Sequence, residues 1–367
     1  MRKPSYRVLG EGILVSTKSL EELGELDAII FDCDGTLIDV EDSYYLTARL
    51  TVSIILREIY GMEVKLGRDV NQVIKSLKML GGFNDDADTA SIIAQTILAF
   101  SPREHVRRGK LDRVDISIFL EDVSRDRSQP EFVSDALQWI MDKCLELYGR
   151  YLTRADLENI LDEIASSNGR EEVLSDFRDN IYDGSTSSTL SRLFNEIFDG
   201  EEIIKKLGGE PRYVRWDGAI RNDRLLIREE TLRDLSEMFD GRLGILSGRR
   251  RWEAEYTLND LLKYFDSRAM IFSDDPSWCE KPDPMGLIRC SRLLDSSRIL
   301  YVGDSSEDLL TVKNALERGL NSSMASVLTN DFSFNYFIEM GADIIVEDVN
   351  LLPRALSGRP WSPFKPP

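Results

Sequence analysis

Side chains that could carry out chemistry are concentrated in four short segments of this 367-residue chain. In chain order they are Asp32-Cys33-Asp34-Gly35-Thr36-Leu37, Ser247-Gly248-Arg249, Lys281-Pro282-Asp283-Pro284 and Gly303-Asp304-Ser305-Ser306-Glu307-Asp308. Carboxylates can act as nucleophiles, as general acids or bases and as ligands of hard cations. A hydroxyl, a lysine and a glycine N–H can bind an anion. The four segments therefore predict a carboxylate-rich site that also contains a cation, provided that the fold brings them together.

Three of these segments directly follow a short apolar run that predicts a buried strand. The runs are Ala28–Phe31 before Asp32, Leu243–Leu246 before Ser247, and Ile299–Val302 before Gly303. Parallel strands of an open α/β sheet meet at one edge with their carboxyl ends, and ligands bind at that edge. We therefore expect the polar segments to converge there.

The second half of the chain predicts the sheet that positions these segments. Further strands are predicted at Ala269–Phe272, Ser326–Leu328 and Ala342–Val346. The helices predicted between the strands are Arg251–Tyr264, Pro284–Leu294, Glu307–Arg318 and Asp331–Met340. Strands that alternate with helices of this length indicate βαβ units. The predicted fold class is therefore α/β, with a Rossmann-like parallel sheet.

A long insertion separates the first strand of this sheet from the second. A crossover between parallel strands needs only about a dozen residues, so we predict an inserted helical domain over residues 39–221. Its predicted helices are Asp42–Tyr60, Arg68–Leu80, Asp88–Phe100, Glu131–Tyr148, Arg154–Ser166 and Thr189–Phe198. The remaining predicted parts are an N-terminal extension with the first core strand (1–38), the rest of the core (222–358) and a flexible tail (359–367).

Composition narrows the class of protein. The net charge of −19 disfavours nucleic acids and anionic membranes as partners, because both would be repelled. The 42% of hydrophobic residues are sufficient for two cores, but no run is long enough for a signal peptide or a membrane span. The four cysteines form no metal-binding or disulfide spacing. We therefore predict a cytoplasmic protein of undetermined oligomeric state.

The four motifs, in this order, resemble those of the haloacid dehalogenase-like (HAD) hydrolase superfamily. The helical insertion after the first motif resembles the C1 cap of its subfamily I, although it is larger than usual. This resemblance implies phosphoryl transfer through an aspartyl-phosphate, and a cap that closes over the site and selects the substrate. A small phosphorylated metabolite would then be the substrate.

The resemblance also implies a role for each motif residue. Asp32 would be the nucleophile, and Asp34 would protonate the leaving oxygen and later deprotonate water. Mg²⁺ would be held by Asp32, the Asp34 carbonyl and Asp304, with Asp308 acting indirectly or orienting Lys281. Thr36 would hold the carboxylates through its hydroxyl. The phosphate group would be bound by Thr36, Ser247, Gly248 and Lys281.

Two segments leave alternatives open. The run from Gly81 to Thr89 resembles a Gly-Gly-x-Asn-Asp-type loop of some archaeal and cyanobacterial HAD proteins. It would contact the leaving group through Asn84, Asp85 and Asp86, or it would simply end one helix and cap the next. Arg249 is grouped with these cap candidates and would contact the substrate. At least one of the three arginines at 249–251 would instead be solvated or paired with Glu253 or Glu255.

A Mg²⁺-dependent phosphatase is the leading functional hypothesis. A phosphomutase of the same fold is the alternative, since it would carry the same core motifs. A catalytically silent binding protein on this scaffold is disfavoured, because every acidic and basic motif residue is present.

Overall fold

The computed structural model describes residues 4–21, 23–83, 85–107, 109–123 and 129–357. Asn84 and the tail predicted over residues 359–367 lie outside these ranges. The described residues form two compact units. One unit contains the chain up to Asp39 and from Arg224 onward, and the other contains Val40–Asp223. We refer to them as the sheet unit and the helical unit.

The elements of the described residues are as follows. The strands are β1 (Tyr6–Gly10), β2 (Ile13–Ser16), β3 (Ala28–Phe31), β4 (Ile38–Asp39), β5 (Arg224–Leu225), β6 (Leu243–Leu246), β7 (Met270–Ile271), β8 (Arg298–Gly303), β9 (Asn321–Val327) and β10 (Ile344–Val346). The α-helices are α1 (Tyr44–Tyr60), α2 (Val70–Lys78), α3 (Asp86–Phe100), α4 (Ile116–Val123), α5 (Glu131–Glu146), α6 (Arg154–Asn168), α7 (Glu171–Asn180), α8 (Thr189–Asp199), α9 (Glu201–Lys206), α10 (Glu229–Met238), α11 (Arg251–Leu258), α12 (Met285–Leu293), α13 (Ser306–Glu317), α14 (Asp331–Met340) and α15 (Leu352–Leu356).

The main sheet has the strand order β1-β2-β10-β9-β8-β3-β6-β7, and the six strands from β10 to β7 are parallel. From β3 the chain runs outward to β6 and β7, then crosses to the other side of β3 for β8, β9 and β10. The order therefore reverses at β3, and such reversals are where open α/β sheets bind ligands. This mainly parallel sheet with its helices confirms the predicted α/β class.

Strand β3 is the centre of the sheet unit. Its four residues, Ala28–Phe31, are fully buried, as expected for a strand whose two faces are both covered. Phe31 pairs with Val302 of β8 on one side and with Ile245 of β6 on the other. This register aligns the carboxyl ends of the three strands. The loops that follow β3, β6 and β8 therefore begin at the same edge of the sheet.

The N-terminal extension completes one end of the sheet, which the sequence did not indicate. β1 and β2 form an antiparallel hairpin, and β2 pairs antiparallel with β10 through Ile345 and Leu14. β9 also begins earlier than predicted, at Asn321. Its first half contains serines, which are not typical of a buried strand, although nearly all residues of β9 are buried. The helix predicted over Arg251–Tyr264 ends at Leu258 and continues as a 3₁₀ turn.

The helical unit is organised around α3, which packs against α1, α5, α6, α7 and α8. Most of its residues are buried, so it forms the core of this unit. Helices α4, α7 and α9 were not predicted, because they are short and strongly polar or lie beside charged runs. No helix within the described ranges has the length and the apolar character needed to cross a membrane.

Candidate active site

The loop after β3 is curled tightly by its own backbone. The Asp32 N–H donates to the Val302 carbonyl at 2.8 Å, which ties the end of β3 to β8. The N–H groups of Leu37 and Ile38 both donate to the Cys33 carbonyl. Gly35 has a φ of +72°, and a Cβ at this position would overlap the Asp304 carboxylate. Glycine is therefore required for the turn and for the close approach of Asp304.

Lys281 lies between two carboxylates. Its Nζ is 3.1 Å from Asp32 Oδ1 and donates to Asp308 Oδ1 at 2.7 Å. The lysine side chain and both aspartates are almost completely buried. The third and fourth motifs therefore supply a cation and an anion that are packed directly against the predicted nucleophile.

Asp308 connects this lysine to the start of α13. Its Oδ2 accepts hydrogen bonds from the N–H groups of Asp304 and Ser305 and from the Ser305 hydroxyl at 2.7 Å. Ser305 is the N-cap of α13 and accepts in turn from the Asp308 N–H. This reciprocal capping fixes Asp308 by local sequence alone. Asp308 thus contacts both Lys281 and the start of α13, and its role of orienting Lys281 stays a prediction.

Burial and neighbouring charges set the protonation of this cluster. Burial alone would lower the pKa of Lys281, but the carboxylates of Asp308 and Asp32 more than compensate, so its pKa is raised well above the usual value. Burial raises the pKa of Asp32; Lys281 opposes this shift, and Asp308 adds to it. Lys281 is therefore a cation, whereas burial opposes the ionisation of Asp32.

Tyr301 belongs to this cluster, although it lies outside the four sequence motifs. Its hydroxyl oxygen lies 3.1 Å from Asp308 Oδ1 and 3.0 Å from the Leu246 carbonyl oxygen, and its single proton can be donated to either acceptor. Burial, followed by the Asp308 charge, raises its pKa well above the ordinary value, so it stays a neutral donor. The available signal was one tyrosine in an otherwise aliphatic strand, since a buried hydroxyl needs a partner.

The second motif supplies the predicted anion-binding groups at the end of β6. Ser247 is buried, and its hydroxyl opposes the rise that burial causes in the pKa of Asp32. An added Cβ on Gly248 would meet only open space, so the backbone there is accessible to a ligand. Thr36 differs from expectation: its buried hydroxyl has no hydrogen-bond partner in the described structure, so it does not hold the carboxylates.

Arg249 makes a contact that differs from both readings of the sequence. Its side chain is fully buried, and its Nε donates to Asp34 Oδ1 at 2.8 Å. The next residue, Arg250, is at the N-cap position of α11; its side chain pairs with Glu253, and its N–H donates to the Glu253 carboxylate at 2.9 Å. Arg249 also belongs to the sheet unit, so it is not a residue of the helical insertion.

Oxygen ligands suited to a hard cation are present. One carboxylate oxygen from each of Asp32, Asp304 and Asp308 lies within 4.8 Å of the others. Mg²⁺ prefers an all-oxygen shell of few carboxylates plus waters, whereas histidine and cysteine ligands would favour zinc. Two observations make the fit specific: Gly35 leaves room for Asp304 against the loop, and the buried carboxylates outnumber Lys281. The residues present therefore fit a divalent cation.

The loop predicted to contact a leaving group has structural contacts of its own. Asp85 is the N-cap of α3, and its carboxylate accepts from the Ala87 N–H at 2.8 Å. Asp86 forms an ion pair with Lys78 at 3.1 Å. Gly82 adopts a φ of +63°, and a Cβ there would meet the Leu152 carbonyl. These contacts support the capping alternative, whereas Asn84 is outside the described residues.

A family model for haloacid dehalogenase-like hydrolases matches residues 26–315. The chain belongs to this family. The matched range includes β3, the entire helical unit and the four motifs, up to and beyond Asp308. The residues that converge at the end of β3 all lie within this matched range. No curated protein sequence is significantly similar to this member of the family.

Solved structures with a similar backbone also exist. Phosphatase Tt82 from Thermococcus thioreducens is 21% identical, with a TM-score of 0.48, over 90% of this chain and 99% of that one. A "putative phosphoglycolate phosphatase" from Lactobacillus plantarum is 12% identical, with a TM-score of 0.40 over the same shares. A "putative beta-phosphoglucomutase" from Bacteroides vulgatus is 12% identical, with a TM-score of 0.39, over 93% of this chain and 95% of that one. These identities are low, so the family assignment rests on the sequence match.

Proposed function

We propose that this HAD-like hydrolase is a Mg²⁺-dependent phosphatase that hydrolyses a small phosphorylated metabolite through an aspartyl-phosphate on Asp32. The observation that carries the proposal is the position of Asp32 at the end of the central strand, 3.1 Å from the buried Lys281. A carboxylate nucleophile beside a fixed cation is what displacement at a negatively charged phosphorus requires.

In the first step, an Asp32 oxygen forms a bond to phosphorus while the bond from phosphorus to the leaving oxygen breaks. Asp34 gives its proton to that leaving oxygen and becomes a carboxylate. Lys281, the Ser247 hydroxyl, the Gly248 N–H and the Thr36 hydroxyl would bind the phosphate oxygens. The Thr36 hydroxyl is buried and has no partner in the described structure.

In the second step, Asp34 removes a proton from a water molecule, whose oxygen bonds to phosphorus as the bond to Asp32 breaks. Phosphate leaves, and both aspartates return to their starting state. The same residue thus acts as acid and then as base, which is general acid–base catalysis in two directions.

Asp32, Asp304 and the Asp34 carbonyl would hold the magnesium ion, with Asp308 holding Lys281 in place. When bound, the ion supplies positive charge that offsets the phosphate and the carboxylates together. This requirement follows from the buried cluster, in which one lysine faces several acidic side chains.

The helical unit, Val40–Asp223, would select the substrate. Phosphoryl-transfer chemistry is assigned entirely to residues of the sheet unit, so specificity has to come from another part of the chain. The proposed substrate class is small molecules that carry a phosphate monoester.

The purified full chain tests this proposal in a panel of phosphorylated compounds with Mg²⁺. The panel should contain sugar phosphates, phosphoglycolate, nucleoside monophosphates and 4-nitrophenyl phosphate, with released inorganic phosphate as the readout. Phosphate release above the rate of the Asp32→Asn protein supports the proposal. Interconversion of sugar-phosphate isomers without phosphate release would instead identify a mutase.

We predict that Asp32→Asn abolishes turnover and leaves the fold intact. The amide is a poor nucleophile and a weak ligand for Mg²⁺, so the loss in kcat should exceed roughly a thousandfold. Circular dichroism and the melting temperature provide the folding control. A variant that keeps more than a tenth of the wild-type rate would show that Asp32 is not the nucleophile.

A further inference from the structure

Arg249 is an arginine with no accessible surface on its side chain, directly after the anion-binding Ser247 and Gly248. Its backbone is fixed on both sides: its N–H donates to the Ser247 hydroxyl at 3.3 Å, and its carbonyl accepts from the Ser273 N–H at 3.1 Å. Because its backbone is fixed and its side chain is completely buried, the guanidinium can contact only its protein neighbours.

The guanidinium connects α11 to the loop after β3. Nε donates to Asp34 Oδ1 at 2.8 Å, while Nη1 donates to the Thr257 hydroxyl at 3.2 Å and approaches the Glu253 carbonyl at 3.5 Å. An arginine presents its donors in a rigid planar fork. The contacts on α11 therefore determine the direction in which Nε points, and Nε fixes one oxygen of Asp34.

Asp34 keeps part of its surface while Arg249 has none. The Asp34 side chain is 21% exposed, so a substrate can still reach it. Asp32 and Asp34 are two residues apart, and each lies beside a different cation. Lys281 forms an ion pair with Asp32, and Arg249 forms one with Asp34. The two cations come from different loops.

From these contacts we infer that Arg249 is the positioning residue of Asp34: it aims the carboxyl group at the leaving oxygen and does not itself bind the substrate. The inference rests on the proposed phosphatase function and adds a specific role within it. Transfer of the Asp34 proton matters most when the leaving group is a basic alkoxide and least when it is a stabilised phenolate. Loss of Arg249 should therefore slow the two kinds of substrate unequally.

The experiment compares kcat/KM for an alkyl phosphate and for 4-nitrophenyl phosphate, in the wild-type chain and in Arg249→Met. We expect a loss of about a hundredfold or more on the alkyl phosphate, in line with the usual contribution of general acid catalysis, and less than about tenfold on the aryl phosphate. Equal losses on the two substrates would overturn the inference, because a general structural defect slows both.

Two further variants and one control keep the test decisive. Arg249→Lys retains the charge without the planar fork, and Thr257→Val removes the hydroxyl that accepts from Nη1. Both variants should lower the ratio of kcat/KM on the alkyl phosphate to kcat/KM on the aryl phosphate. They test the inference even if Arg249→Met does not fold. Arg251→Met is the matched control, because Arg251 pairs with Asp275 at 2.8 Å and not with Asp34. Its ratio should equal that of the wild type. A wild-type chain that hydrolyses neither substrate would refute the proposed function, whereas unchanged ratios in an active chain refute only the role of Arg249.

Discussion

At the residue scale, the site depends on how buried charges are paired. Lys281, Asp32 and Asp308 are nearly inaccessible to water, and a buried charge without a partner is costly. Lys281 is stabilised by both carboxylates, whereas Asp308 also accepts hydrogen bonds from the N–H groups of Asp304 and Ser305. Substitution of one member should therefore affect both activity and stability.

We predict that Lys281→Met lowers kcat/KM by about a hundredfold to a thousandfold, the usual effect of removing one preorganised donor to a developing charge. It should also lower the melting temperature, because Asp32 and Asp308 lose their shared cation. Steady-state kinetics and thermal unfolding measure the two effects. Lys313→Met is the control: Lys313 donates to the Met340 carbonyl at 2.8 Å, outside the cluster, so its kinetics should match the wild type. Wild-type kinetics in Lys281→Met would contradict the proposed role.

At the element scale, short connections after strands determine which groups meet. The turn after β3 depends on Gly35, and the first turn of α13 holds Asp308 through its Ser305 cap. Both connections are short, so a change in backbone conformation there would directly move the carboxylate side chains of the site.

We predict that Gly35→Ala removes activity and weakens Mg²⁺ binding, because the new Cβ would displace the Asp304 carboxylate. Gly241→Ala is a matched control for backbone strain: Gly241 has a φ of +75°, and an added Cβ there meets nothing within 4 Å. Both variants should be destabilised by about 1 kcal/mol from strain at positive φ. Only Gly35→Ala should lose activity in the phosphate-release assay; equal activity in both variants would contradict the close packing of Asp304.

At the scale of the whole molecule, the sheet unit should be stabilised by the proposed magnesium ion. We predict that Mg²⁺ raises the melting temperature, since a ligand at a hundred times its dissociation constant stabilises a protein by about 2.7 kcal/mol. Activity should vanish in excess EDTA, and Ca²⁺ should substitute poorly because it accepts more oxygens at longer distances. Asp304→Asn should reduce the thermal shift. Full activity in EDTA would refute the metal site.

The helical unit allows a test of the loop at Asp85. Because Asp85 caps α3, we predict that Asp85→Ala lowers stability by about 1 kcal/mol and slows large and small substrates equally. Asp85→Asn is the control, since asparagine caps helices as well as aspartate does. A loss limited to the natural substrate in both variants, with acetyl phosphate unaffected, would instead assign the loop to leaving-group recognition.

The sequence by itself predicted the fold class, the family and most of the sheet. Apolar runs of four residues before Asp32 and Ser247 predicted strands β3 and β6 with the observed bounds, because fully buried parallel strands have continuous apolar sequences. The fold class and the convergence of the motifs followed from the alternation of strands and helices. Asp308 at the start of α13 was equally local, since a helix cap depends on a few adjacent residues.

Only the tertiary structure decided which charges pair. Arg249 and Asp34, or Tyr301 and Asp308, are joined by side-chain geometry across strands, which no spacing along the chain expresses. The β1–β2 hairpin was also missed, because its place depends on pairing with β10 at the other end of the chain. Local patterns fix what each segment becomes, whereas long-range pairing and burial fix which partner each polar group finds.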